Sequence, residues 1–212
     1  MSPLVIVPLG SWEQHGAHLP ASTDSVIISA VVARAAHDRD VTVAPVMNFT
    51  ASDEHAGFHF TLSAGTEATA ASLVAIARSA AWARGIVFAN GHGGNADALR
   101  IATSAMDHEG LRHAVWSLPA YAGSDAHAGR TETSVMLHLS PSDVRMDLAT
   151  AGNTQPTASL VEGMRSGGVR SVSDNGVLGD PTQADAAHGA AVMDMWVGSL
   201  SSFLDTVQEQ WS

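Results

Sequence analysis

The stretch "PLVIVPLGSWEQHGAHLPASTD" (Pro3–Asp24) joins two kinds of sequence end to end. Residues 3–10 are apolar almost without interruption, the composition of a strand buried on both faces, and such strands belong to parallel sheets covered by helices. The chain then turns polar and carries Glu13, His15, His18 and Asp24 within one loop. Directly behind it, "DSVIISAVVARAAHDR" (24–39) spaces its apolar residues as a helix does. Asp24 stands near the start of that helix and Arg34 and Arg39 toward its end, as the helix dipole favours.

Working outward, the same order recurs. "VTVAPVMNF" (41–49) reads as a second strand, and "EATAASLVAIARSAAWARG" (67–85) as an Ala-rich helix closed by Gly85 as its C-cap. The strand "IVFANG" (86–91), the helix "NADALRIATSAMDHEG" (95–110) and the strand "RHAVWSLP" (112–119) follow. A helix begins near Arg130, residues 140–180 are rich in Gly, Ser and Pro with weak periodicity, and a last helix spans about Gln183 to Glu209. Strands alternating with helices predict an α/β fold, a three-layer α/β/α sandwich with a mostly parallel sheet. No internal repeat and no break in composition divides the chain, so one domain over residues 1–212 is expected.

Composition narrows the function. Net charge is −11 and all ten basic residues are arginine, none of them gathered into a stripe. That disfavours nucleic acid and anionic lipid as partners. No apolar run approaches the roughly 18 residues of a membrane span, and the amino terminus lacks the basic region of a signal peptide. Without cysteine there is neither a disulfide nor a thiolate metal site, which fits a cytoplasmic protein. Eleven histidines against one tyrosine stand out.

The chemistry-bearing residues sit in equivalent places. Glu13 and His15 lie just past the first strand, His92 of "NGHGGN" just past "IVFA", and His127 and Glu132 of "DAHAGRTETS" after "AVWSLP". Ligands of open parallel sheets bind outside the carboxyl ends of the strands, so three strand ends deliver His and carboxylate groups to one edge. Residues i and i+2 of an extended loop point to the same side, so Glu13 and His15 reach one site, and Asp24 returns to it with two oxygens able to bridge two metals. "GHGGNA" also matches a dinucleotide fingerprint, with Asp107 short of the expected ribose-binding acid, but that reading leaves Glu13, His15 and His127 without a task. A non-catalytic oligomeric protein is the other alternative. His37, His108, His113 and His138 read as surface or core residues, His18 as a loop-structuring one, and Trp82, Trp196 and Trp211 as packing or oligomer contacts.

Together, "PLGSWEQHGAHLPASTD", "NGHGGN", "HAGRTETS" and "GVLGDP" resemble the creatininase family of binuclear metal amidohydrolases over essentially the whole chain. The resemblance implies a homo-oligomer with two divalent ions per subunit, Fe²⁺ or Zn²⁺ and alternatively Mn²⁺. It implies Glu13, His15, Asp24 and His92 as ligands. Creatininase carries a glutamate two residues after the N-G-H histidine where this chain has Gly94, and in members with N-G-H-G-G-N the Glu of H-A-G-x-x-E-T-S, here Glu132, takes the fifth place. His127 matches the acid/base histidine. Glu13 and His92 would hold one ion and His15 and Glu132 the other, with Asp24 between them.

The tryptophans that enclose creatinine are missing from "AYAGSDA", which argues against creatinine itself, while an amidohydrolase acting on another small cyclic amide or a formamide stays as the alternative. The compact length, "MRSGGV" and "GVLGDPTQADAAHG" look like the branch of the family in mycofactocin biosynthesis, which trims a modified precursor peptide and releases its C-terminal Val-Tyr dipeptide. Ala17 and "GFHFTLS" depart from the common pattern, and His59 and Phe60 are expected to line the pocket. Arg130 is one candidate to hold the peptide carboxylate, against the plainer reading of a solvated residue at a helix start.

Overall fold

The computed structural model describes residues 2–121 and 123–212. Four strands, β1 (Leu4–Leu9), β2 (Val41–Val43), β3 (Gly85–Asn90) and β4 (His113–Ser117), form a sheet of order β2-β1-β3-β4. Every pairing is parallel, with Leu4 opposite both Val41 and Gly85, and Ile86 opposite His113. All residues of β1 and β3 are buried, which is why the two central strands are apolar throughout rather than alternating.

Helices cover both faces. Leu4, Ile6, Val87 and Ala89 pack on one side with α1 (Thr23–Ala35), α4 (Arg130–Leu139) and α6 (Ala186–Gln210). Val5, Val7, Leu9 and Phe88 pack on the other with α2 (Thr66–Ser79) and α3 (Ala96–His108). The layers are therefore helix, sheet, helix. No described helix is long and apolar enough to cross a membrane.

Three elements differ from the sequence reading. The second strand stops at Val43, because Pro45 offers no N–H to the ladder. The chain still follows β1, through Ala44 N–H to Ile6 O at 2.8 Å and Met47 N–H to Pro8 O at 2.9 Å. α2 ends at Ser79, so Gly85 caps no helix; it opens β3, where a Cβ would lie 2.4 Å from the Trp211 ring. Residues 140–180 contain a helix, α5 (Thr157–Gly167), which holds Gly163 and Gly167, lies between Pro156 and Gly168 and fully buries only Leu160. Of the tryptophans read as packing or oligomer contacts, Trp196 is core and donates Nε1–H to Pro119 O at 2.9 Å, Trp211 packs on the first of these faces, and Trp82 stands 59% exposed.

Candidate metal centre

β1, β3 and β4 end side by side, and the loops leaving them converge. The loop after β1 is pinned by backbone bonds such as Glu13 N–H to Ala21 O at 3.1 Å, and it buries Glu13, His15 and Asp24 almost completely. His92 follows β3 directly. His127 is held by an antiparallel bridge to Leu178, with Leu178 N–H to His127 O at 2.9 Å, so "HAGRTETS" and "GVLGDP" meet in space. Glu132 lies in the first turn of α4, where its Oε2 accepts the Ala128 N–H at 2.6 Å.

All six expected side chains come together. Asp24 is central: its Oδ1 lies 3.2 Å from His15 Nε2 and its Oδ2 3.1 Å from His92 Nδ1. Each imidazole is oriented by its other nitrogen. His15 Nδ1–H donates to Glu13 O at 3.0 Å, and His92 Nε2–H to Ala51 O at 2.8 Å. The nitrogens facing Asp24 are therefore the ones an ion could take; without an ion they carry the second proton and donate it to Asp24, the arrangement that outer hydrogen bonds impose on metal-binding histidines. Ser11 Oγ–H donates to Asp24 Oδ2 at 2.7 Å. Glu132 Oε2 is 3.8 Å from His15 Nε2.

Three overlapping groups bring ligand atoms within 4.8 Å of one another: Glu13, Asp24 and His92; His15, His127 and Glu132; and Glu13, His55 and His127. Both Glu13 oxygens are buried without a hydrogen-bond donor. A dry carboxylate with imidazoles nearby, His92 Nε2 at 3.1 Å, but no hydrogen bond is expensive, and a divalent cation would satisfy it. The donors present, carboxylate oxygen and imidazole nitrogen, suit such an ion.

Charges in the cluster are strongly coupled. Burial pushes the Glu13 carboxyl up to about 8, against the pull of His92. Burial opposes charge on His15 as well, but the adjacent Asp24 outweighs it and holds the imidazole at about 10. His92 reaches about 10 for the same reason, through Glu13 and Asp24. Burial raises Asp24 too, yet His15 and His92 keep it well below the usual carboxylate range. Burial lifts Glu132 to about 7. Burial and the positive His15 depress His55 to about 3 and His127 well below 6.5, leaving both neutral.

The cluster opens into a cavity of about 620 Å³. Its far wall comes from segments the sequence reading passed over: Glu54 and His55 in a 3-10 turn after β2, and Val161, Met164 and Arg165 of α5. The signal for the first was available, since "SDEH" (52–55) also follows a strand end. His59 and Phe60 do not line this cavity; Phe60 is 82% exposed, and His55 takes the place expected for His59. Arg130 points away and pairs with Asp185 at 3.4 Å. His18 is structural, its Nε2 2.9 Å from Thr133 Oγ1. The dinucleotide reading meets a carboxylate: a Cβ on Gly94 would lie 2.1 Å from Glu54 Oε1, so an anion occupies the space where a pyrophosphate would approach.

The family model for creatininase, described as creatinine amidohydrolase, matches residues 1–204. A mycofactocin precursor peptide peptidase from Mycolicibacterium smegmatis is 51% identical over 199 residues, covering 91% of this chain and 80% of the relative. Among solved structures, a Bacteroides fragilis protein assigned as a creatinine amidohydrolase superposes with a TM-score of 0.82 at 24% identity, covering 98% of this chain and 90% of its own. A mutant creatininase of the Zn–Zn type gives 0.77 at 21% identity, with 99% and 91% covered. Family match, fold and relatives agree: the chain belongs to the creatininase family.

Proposed function

We propose that this protein is a two-metal peptidase that releases the modified C-terminal Val-Tyr dipeptide from a mycofactocin precursor peptide. The observation that carries the metal part is Asp24, whose two oxygens face ring nitrogens of two different histidines, each ring being oriented through its other nitrogen. The substrate part follows the name of the 51% identical relative. Glu13, Asp24 and His92 would hold one ion, and His15, Asp24 and Glu132 the other. Zn²⁺, Fe²⁺ and Mn²⁺ all accept this donor set. Bound there, two such ions supply Lewis acidity, polarising a scissile carbonyl and acidifying water.

The chain's own residues do the rest. Neutral His127, with one nitrogen turned to the cluster, begins as a base, takes a proton and passes it to the leaving amine. The buried loop after β1 keeps bulk water from the charges. A cavity of about 620 Å³ suits a flexible chain end better than a small cyclic amide. Trp82 at 59% and Ile101 at 40% exposure offer apolar contacts for a homo-oligomer, which light scattering at micromolar concentration tests. A monomer there would refute that assembly.

The decisive experiment pairs metal analysis with incubation of the Zn²⁺- or Fe²⁺-loaded protein with modified and unmodified precursor. Near two ions per chain and a dipeptide-sized product from the modified form are expected. Hydrolysis of creatinine with the peptide untouched would sink the peptidase reading and leave the metal site standing.

A further inference from the structure

Gln14 and His55 stand inside the cluster without a task in the reading above. We propose that the Gln14 side chain fixes the tautomers of two histidines, so that His127 turns a bare Nδ1 to the site and His55 an Nε2–H. His55 is then a positioning residue for Glu13, and no metal ligand.

The assignment follows from counting protons. Gly16 N–H donates to Gln14 Oε1 at 2.9 Å, which fixes which end of the amide is oxygen. Gln14 Nε2 thus has two hydrogens and three neighbours: Gly176 O at 3.1 Å, His55 Nδ1 at 2.9 Å and His127 Nε2 at 3.2 Å. A carbonyl only accepts, so Gly176 O takes one hydrogen. His127 Nε2 lies 2.8 Å from the backbone oxygen Gln14 O, a contact that is favourable only if this nitrogen donates. It therefore cannot also accept, and the second amide hydrogen goes to His55 Nδ1.

A neutral His55 that accepts at Nδ1 carries its proton on Nε2, which lies 3.4 Å from Glu13 Oε1. His127, protonated on Nε2, leaves Nδ1 bare, 3.6 Å from the same oxygen. The amide cannot slide to another register, because it is pressed against Gly176: a Cβ there would lie 2.2 Å from Gln14 Oε1. The group Glu13, His55 and His127 has the spacing of a metal site, yet its His55 nitrogen is already occupied by a proton. This group therefore adds no third ion position to the two proposed above.

The effect on Glu13 rests on the two-metal reading; the tautomers do not. Two-bond ¹⁵N–¹H correlation spectra of ¹⁵N-histidine-labelled protein, ion-free and Zn²⁺-loaded, read them directly. His55→Gln and His127→Gln variants assign the signals. Both histidines are expected as Nε2–H tautomers in the ion-free chain, with His55 unchanged on Zn²⁺ loading. An Nδ1–H His55, or a His55 Nε2 that loses its proton to Zn²⁺, overturns the proposal. Gln14→Glu, which offers an acceptor in place of the amide donor, should switch His55 to Nδ1–H.

Chelator competition supplies the second readout. His55→Phe should weaken Zn²⁺ binding about 10–100-fold, as loss of an outer-shell partner does. His55→Gln, whose amide reaches the Nε2 position, should restore it. Wild-type Zn²⁺ affinity in His55→Phe would remove the positioning role. A chain that binds no metal but keeps both tautomers would defeat the two-metal reading and not the Gln14 assignment.

Discussion

The loop after β1 and the wall built by residues 53–58 with α5 face each other across one cavity, and they are made differently. Glu13, His15 and Asp24 are 0%, 1% and 3% exposed, and each carboxylate lies within reach of an imidazole. The opposite wall is half open: Glu54 keeps 27% of its side chain in solvent, and Arg165 is exposed. Its support is a small apolar cluster of Leu160, Val169 and Leu178, with Arg170 stacked 4.5 Å over Phe58. Charges in a dry, fully braced setting act strongly and tolerate little displacement. An open wall on a small core can adapt to a long substrate. Chemistry and recognition are thus assigned to opposite sides, and changes to each side should fail in different ways.

The largest effect is expected on the dry side. Asp24→Ala should remove both ions and abolish turnover, because the two half-sites share this one carboxylate, whereas Glu132→Ala should empty one position. Metal content by plasma mass spectrometry, run beside an activity assay, decides it. A D24A protein with two ions and normal activity would break the comparison at its root.

His127→Gln comes next. Loss of an acid/base group costs roughly 10²–10⁴-fold in turnover, and ion content should stay at the wild-type level. If the ions leave together with activity, His127 belongs among the ligands, consistent with its spacing to His15 and Glu132.

The same contrast explains what could be read in the sequence. β1 and β3 announce themselves as unbroken apolar runs because both faces are covered, and their ends fix where Glu13, His15 and His92 must appear. The strand-end rule thus located one wall. α5 is short, contains Gly163 and Gly167 and sits between Pro156 and Gly168, so its segment reads as loop, and nothing local says that Met164 turns toward a cavity. His55 was legible in principle, since Asp53–His55 follow β2, but Pro45 ended that strand early and blurred the edge. Of the two readings of Arg130, the pairing with Asp185, distant in sequence, favours the solvated residue at a helix start.

A pH experiment sharpens the comparison further. In the ion-free chain His15 and His92 are pushed up from 6.5 to about 10, and Glu13 from 4.5 to about 8. Raised groups stabilise the fold fully below their unfolded values, and that contribution is lost as pH rises through the folded ones. His18, His55 and His127 are lowered, so their pH dependence is complete by about 6.5. Above pH 7 only the raised groups count, and the ion-free Tm should fall between pH 7 and 10. Ions displace these protons, so the loaded protein should show a flatter profile. Calorimetry with and without chelator tests this, and an ion-free Tm that holds steady or climbs over that window would contradict the charge assignment.

The smallest effect belongs to the open wall. Met164 is half-buried, lines the cavity and packs on the cluster of Leu160, Val169 and Leu178. Shortening it to alanine removes apolar contact worth about 1 kcal/mol for a partly buried side chain, hence roughly a 5-fold rise in KM for the peptide. Because no ligand touches it, ion content and kcat should stay as they are, the pattern of lost uniform binding. Met164→Leu, close in volume, should restore most of the affinity. Steady-state kinetics on the precursor peptide separate the two parameters. A fall in kcat with KM unchanged would mean that this wall helps align the reacting bond, and the division of labour between the two sides would no longer hold.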